Sequence, residues 1–186
     1  MFKISDYLHE ETLSTSYLYR GKIINVRQDR VKGFNEKVAF REIVEHPGAV
    51  AILALDAQKE ILVVRQHRQP AGEILLEIPA GKIDPGENPL DCARRELLEE
   101  TGLEAKKWNE LSQFYTSPGF CDEKIFLYQA EDLNKAFSPT TDPDENIAVE
   151  KIPLEEAEKM IAEGRIKDGK TIIAVQFALL SESGDQ

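Results

Sequence analysis

The stretch Gly81–Leu103, GKIDPGENPLDCARRELLEETGL, decides how this chain is read. Asn88 is a good N-cap, Pro89 suits a first helical position, and Asp91 complements the positive helix start. Gly102 stands where a left-handed C-terminal residue belongs. The pattern predicts a helix over Pro89–Thr101. On it, Glu96, Glu99 and Glu100 are related by i, i+3 and i, i+4, so they share one face. Leu90, Ala93 and Leu97 form an adjacent apolar stripe that can dock on a sheet. Like charges this close repel by a few tenths of a kcal/mol per pair, so the face calls for a cation. All-oxygen ligands imply a hard one, Mg²⁺ or Mn²⁺. The preceding segment, residues 80–87, reads as a loop. Gly81 lets the backbone come close to a metal, the Ala80 carbonyl is a potential ligand, and Pro85-Gly86 marks a tight turn. Arg95 and Glu87 are placed to pair and hold loop against helix. On charge alone, a solvated acidic face is the simpler reading. The glycines, Glu87 and Arg95 in register favour the metal.

Composition bounds the rest. The 186 residues are 41% hydrophobic, enough for one domain with a real core. The net charge of −11 and the lack of a basic run give nucleic-acid binding little electrostatic support. Anionic small molecules fit if bound metals invert the local charge. Cys92 and Cys121 belong to no ligand-spaced cluster and read as reduced thiols in a cytoplasmic protein. No apolar run has membrane-spanning length and no signal peptide begins the chain, so the expected location is the cytoplasm.

Strand alternation runs from about Tyr17 to Val44, with a turn near Gly33–Glu36. Ala49–Leu55 and Ile61–Gln66 are apolar strands around a polar turn, and Ile74–Ile78 feeds the box loop. Leu111–Tyr115 and Lys124–Gln129 flank a loop at 116–123, and Asn146–Lys151 is a last strand. Pro153–Gly164 and Thr171–Leu180 have helical spacing, followed by a polar tail expected to fray. The mixture lacks regular βαβ alternation, which suggests a mixed sheet between helices. The first forty-odd residues look like an added subdomain. Its exposed strand edges make pairing with a second copy plausible. A sheet folded back on its own core is the competing reading.

Gly81, Glu87, Arg95, Glu96, Glu99, Glu100 and Gly102, with aliphatic Leu97 and Leu103, match G-x5-E-x7-R-E-U-x-E-E-x-G-U without a mismatch. The chain therefore resembles the Nudix hydrolases. Pro118, fifteen residues past Leu103, resembles the ADP-ribose pyrophosphatase subgroup. So do the segments 41–50, 66–70, 77–81 and 153–157. The resemblance runs from about Tyr19 to the end. It implies an α/β fold of α+β type: a mixed β-sheet in an α/β/α sandwich, residues 46–186, with an N-terminal β subdomain, residues 1–45, that dimerises.

The resemblance further implies Mg²⁺-dependent hydrolysis of ADP-ribose to AMP and ribose 5-phosphate, with Mn²⁺ as a possible substitute. Glu96 and Glu100 would be the principal metal ligands, joined by the Ala80 carbonyl. Glu99 would take a further ion or orient the water, and Arg95 would support the box. Arg41, Glu42 and Arg68 look like substrate contacts, with Pro118 and Glu123 in the loop after the box. Tyr19 and Arg20 look like contacts to the adenine end supplied across a homodimer. The acidic loop at 141–146 is the source expected for the catalytic base, with Glu145 chosen as base and metal ligand. Pro143 stands where some relatives carry a second glutamate, so Asp142, Asp144 or Glu123 could share the task. His46 and His67 read as structural histidines and Trp108 as packing. Two alternatives stay open. One is hydrolysis of another nucleoside diphosphate derivative, such as GDP-mannose, NADH or a dinucleoside polyphosphate. The other is a non-catalytic nucleotide-binding module, against which the intact box argues.

Overall fold

The computed structural model describes residues 7–136 and 146–184. The chain divides into two compact units, Met1–Gly48 with Tyr115–Lys124, and Ala49–Phe114 with Ile125–Gln186.

In the first unit, β1 (Glu11–Arg20), β2 (Asn25–Lys32) and β3 (Val38–Glu45) form an antiparallel sheet in that order. The β2–β3 turn falls where Gly33–Glu36 predicted it, with the Gly33 N–H on the Lys37 carbonyl and Glu36 at φ 61°. β1 begins six residues earlier than the alternation suggested. All ten of its residues are exposed, so no buried face marks its start. The segment after Tyr115 docks on β3: Val44 donates to the Phe120 carbonyl at 2.8 Å and Asp122 donates to Val44 at 3.1 Å.

The second unit holds β4 (Ala49–Ala54), β5 (Glu60–Arg68), β6 (Glu73–Glu77), β7 (Ala80–Lys82), α1 (Pro89–Thr101), β8 (Leu103–Tyr115), β9 (Lys124–Lys135), β10 (Ile147–Pro153), α2 (Leu154–Ala162) and α3 (Gly169–Gly184). One sheet runs β7-β4-β9-β8, with β4 parallel to β9 and antiparallel to β7. The other runs β10-β5-β6, both pairs antiparallel. β8 starts at Leu103, eight residues before its predicted start, and α3 continues to Gly184, past the predicted end at Leu180.

Side-chain alternation builds the layers. Val50, Ile52 and Ala54 of β4, Leu62 of β5, and Tyr128 and Ala130 of β9 pack with Cys92, Ala93 and Leu97 of α1. Ala51 and Leu53, Ile61 and Val63, and Ile125 and Leu127 point the other way. They pack with Leu154, Ala157 and Met160 of α2 and Ala174, Val175 and Ala178 of α3. Strands buried on both faces carry continuous apolar runs, as Ala49–Ala54 does. The result is a helix layer on each side of the strands. Leu97, fully buried, gives roughly 2–3 kcal/mol of the force that seats α1. That seating puts the acidic ridge of α1 against β7.

Candidate active site

α1 begins and ends on local chemistry. The Asn88 side chain accepts the Leu90 N–H at 2.9 Å, Pro89 opens the helix, and Gly102 closes it in the left-handed region at φ 69°. The preceding turn is closed by Glu87 N–H on the Asp84 carbonyl at 2.9 Å, with Gly86 at φ 83°.

Arg95 ties this turn to the helix. Its Nε and Nη2 donate to the two oxygens of Glu87 at 2.9 and 3.0 Å. Its Nη1 donates to Glu96 at 2.7 Å and to Glu99 at 2.8 Å, and Nη2 also reaches the Lys82 carbonyl at 3.3 Å. The guanidinium pulls the Glu87 carboxyl down to about 2. Burial, and then Glu87, push the neighbouring Cys92 thiol up to about 12, so it is inert. A cation does stand among the box carboxylates, and in this structure it is Arg95.

The three ridge glutamates are not equivalent. Glu96 and Glu100 are buried, at 9% and 5% exposure, whereas Glu99 is half-buried on Arg95. Glu100 accepts the Ala80 N–H at 3.2 Å. Glu96 fills the space beside Gly81: a Cβ there would lie 1.9 Å from the Glu96 carboxyl carbon. With the Glu96 carboxylate where it stands, position 81 has no room for a side chain. Among the described residues, no three Asp, Glu, His or Cys side chains form a ready metal cluster. The donors nevertheless fit a hard cation in kind: two buried carboxylates against a backbone strand, all oxygen, with no thiolate or imidazole. The Ala80 carbonyl and Glu99 are the nearest additions in sequence.

Arg68 lies in the same unit. Its Nε and Nη2 fork onto Glu77 at 2.7 and 2.8 Å. Glu77 is only 1% exposed and also accepts Lys170 Nζ. Burial would raise its carboxyl, but Arg68 and Lys170 outweigh that and hold it below the ordinary value. Glu77 entered the sequence reading only within the segment 77–81, without a partner, and Lys170 did not enter it. A glutamate in an apolar stretch followed by proline was the available signal, but its partner lies far along the chain.

The expected residues Tyr19, Arg20, Arg41, Glu42, Pro118 and Glu123 belong to the first unit. Arg41 pairs with Glu10, and Glu42 sits on β3 opposite Gln28. Tyr19 is exposed and its ring covers Gly21, while the Arg20 guanidinium lies 3.7 Å from the centre of the Tyr17 ring. Pro118 occupies a turn closed by Phe120 N–H on the Ser117 carbonyl at 3.1 Å. Glu123 accepts the Thr116 hydroxyl at 2.7 Å and stands 3.5 Å from His46 Nδ1, which accepts the Gly48 N–H. Trp108 packs edge-on against Tyr128 and donates to the Ala105 carbonyl. Glu145, Asp142 and Asp144 lie outside the described residues.

The NUDIX domain model matches residues 45–174. The chain belongs to the Nudix family. It is 43% identical over 175 residues to a methanol dehydrogenase activator of Bacillus methanolicus, covering 94% of this chain and 95% of that one. It is 41% identical over 177 residues to an ADP-ribose pyrophosphatase of Bacillus subtilis, covering 95% and 96%. A GDP-mannose pyrophosphatase of Yersinia pestis shares 36% over 148 residues, 75% of this chain and 74% of that one. Among solved structures, an ADP compounds hydrolase superposes with a TM-score of 0.82 over 95% of both chains at 20% identity, which supports the Nudix fold. Within that fold the chain is a Nudix pyrophosphohydrolase, with its box on α1 and β7. No helix among the described residues is long and apolar enough to cross a membrane.

Proposed function

We propose that this Nudix protein hydrolyses ADP-ribose to AMP and ribose 5-phosphate, with Mg²⁺, or Mn²⁺ in its place, as cofactor. The observation that carries the reading is two buried glutamates against β7, Glu96 at Gly81 and Glu100 on the Ala80 N–H, in a chain 41% identical over nearly its whole length to an ADP-ribose pyrophosphatase. Glu96, Glu100 and the Ala80 carbonyl would hold the ion, and Glu99 and Glu145 would complete the set. A divalent ion bound there neutralises phosphate charge and makes a bound water more acidic. The protein's part is placement. Arg95 and Glu87 lock the loop to α1, the two buried glutamates are held against β7 at Gly81 and Ala80, and Glu145 takes the proton from the attacking water. Arg41, Glu42, Arg68, Pro118 and Glu123 contact the substrate, and Tyr19 and Arg20 are supplied across a homodimer to the adenine end of the substrate bound by the partner copy.

Residues 1–45 are the dimerising subdomain and 46–186 the hydrolase domain. The support is that Leu13, Tyr17, Leu18 and Tyr19 are exposed on β1. The cytoplasm suits the free thiols Cys92 and Cys121. The test is incubation with ADP-ribose and Mg²⁺ or Mn²⁺, with chromatography of products. AMP and ribose 5-phosphate are expected. Product from neither metal refutes the proposal, and a tenfold preference for GDP-mannose, NADH or a dinucleoside polyphosphate moves the substrate.

A second reading is favoured by the 43% identity to a methanol dehydrogenase activator. On it, the same hydrolase site serves a dehydrogenase. Methanol oxidation by a methanol dehydrogenase, measured with and without this protein, decides: an unchanged rate removes it.

A further inference from the structure

Four successive residues lead from β6 into β7, and each is held from a different place. The Glu77 side chain is gripped by Arg68 and Lys170. The Ile78 N–H donates to the Thr171 hydroxyl at 2.8 Å. The Pro79 carbonyl accepts the Ile52 N–H at 2.8 Å, and the Ala80 N–H donates to Glu100 at 3.2 Å. Two of the four holds come from the first turn of α3, more than ninety positions along the chain. Asp168 caps that turn: its Oδ2 accepts the Thr171 N–H at 3.0 Å and the Thr171 hydroxyl proton at 2.6 Å. Its Oδ1 accepts Lys170 Nζ at 2.9 Å. The polarity is fully determined. The one hydroxyl proton of Thr171 goes to Asp168, so the oxygen must accept from Ile78. Thr171 is 0% exposed, so water cannot replace either bond.

We propose that Asp168, Lys170 and Thr171 are positioning residues for the metal face. They fix the backbone of residues 77–80, and through it the Ala80 carbonyl and the Glu100 carboxylate bonded to Ala80. The inference rests on the reading of Ala80 and Glu100 as metal holders. It makes α3 a remote support of the box, outside the box motif itself. Groups that orient metal ligands without touching the metal control affinity by roughly 10–100-fold.

The test is Mn²⁺ binding to the substrate-free full-length protein, followed by electron paramagnetic resonance of the free ion, alongside kcat and KM for ADP-ribose. Thr171→Val keeps the side-chain shape and deletes the acceptor. It is expected to weaken Mn²⁺ by about 10-fold and to lower kcat with KM little changed, while Thr171→Ser stays near wild type. Gln176→Gly loosens the same helix from its exposed face, outside the core cluster that holds Ile78, and should leave Mn²⁺ affinity unchanged. Lys170→Met, checked by circular dichroism, serves as an independent variant should Thr171→Val fail to fold. Folded variants of Thr171 and Lys170 that bind Mn²⁺ within twofold of wild type overturn the proposal, as does an equal loss in Gln176→Gly. Wild-type protein that binds no Mn²⁺ removes the metal reading itself, and this one with it.

Discussion

Gly81→Ala separates stability from activity most cleanly. The new Cβ would lie 1.9 Å from the Glu96 carboxyl carbon and 2.0 and 2.4 Å from its two oxygens. Ordinary contact begins near 3.4 Å, so the carboxylate must retreat by about 1.5 Å. It can do so, because it is the far end of a flexible side chain. Gly81 is not among the glycines with positive φ, so alanine brings no backbone strain there. Replacing glycine where alanine fits gains ~0.4–1 kcal/mol through the unfolded chain, against an overpacking cost of ~1–3 kcal/mol. The net is a loss of about 0–2.6 kcal/mol, which leaves the variant folded. The Glu96 oxygens, however, cannot stay where they are. A misplacement of about 1 Å in a positioned group costs ~10²-fold in rate, or about 2.7 kcal/mol of transition-state stabilisation. The expected result is a melting temperature lower by no more than about 10 °C and kcat/KM for ADP-ribose lower by ~100-fold or more. Release of AMP followed by chromatography, with circular dichroism melts in parallel, measures both. Activity within threefold of wild type in the folded variant would show that the Glu96 position does not matter, and the metal face would lose its main support.

Three further outcomes are expected. Glu100→Gln keeps an acceptor for the Ala80 N–H, so it should melt like wild type yet lose ~100-fold or more in turnover, and unchanged turnover would count against Glu100 as a ligand. Glu87 has a carboxyl lowered from 4.5 to about 2 by Arg95. A depressed carboxyl adds stability that is complete above 4.5 and is lost as pH falls toward 2. Melts across that window should therefore decline less steeply in Glu87→Gln than in wild type, and parallel curves would contradict the Arg95 fork. Asn88→Ala should cost ~1 kcal/mol in urea unfolding, and Asn88→Asp should retain most of it.

What could be read from the sequence was what local chemistry writes. The helix Pro89–Thr101 was legible at both ends, because its cap, its proline and its left-handed glycine are neighbours in the chain. The Glu87–Arg95 pair followed from register. The start of β1 was not legible, since Glu11–Arg20 buries neither face. The first half of β8 was hidden by Glu104, Lys106 and Lys107, which resemble a loop although they lie in a strand. The Arg95–Glu96 contact was also unforeseen, because helix neighbours at i, i+1 are not expected to face each other, whereas Arg95 and Glu99 stand at the favoured i, i+4 spacing. The Glu77–Lys170 pair lay furthest from view: its halves meet only when β6 and α3 are already assembled.

The parallel pairing of β4 with β9 sets an order of events. Ala49 aligns with Ile125 and Ala54 with Ala130, and the whole acidic box lies in the chain between those partners. During synthesis α1 emerges before β9 exists, so its apolar stripe has only half a wall to lean on. Closing so long a loop is slow in comparison with hairpin formation. A nascent or refolding molecule should therefore acquire the β1–β3 hairpins first and its chemistry last, with catalysis appearing only when β9 slides in beside β4.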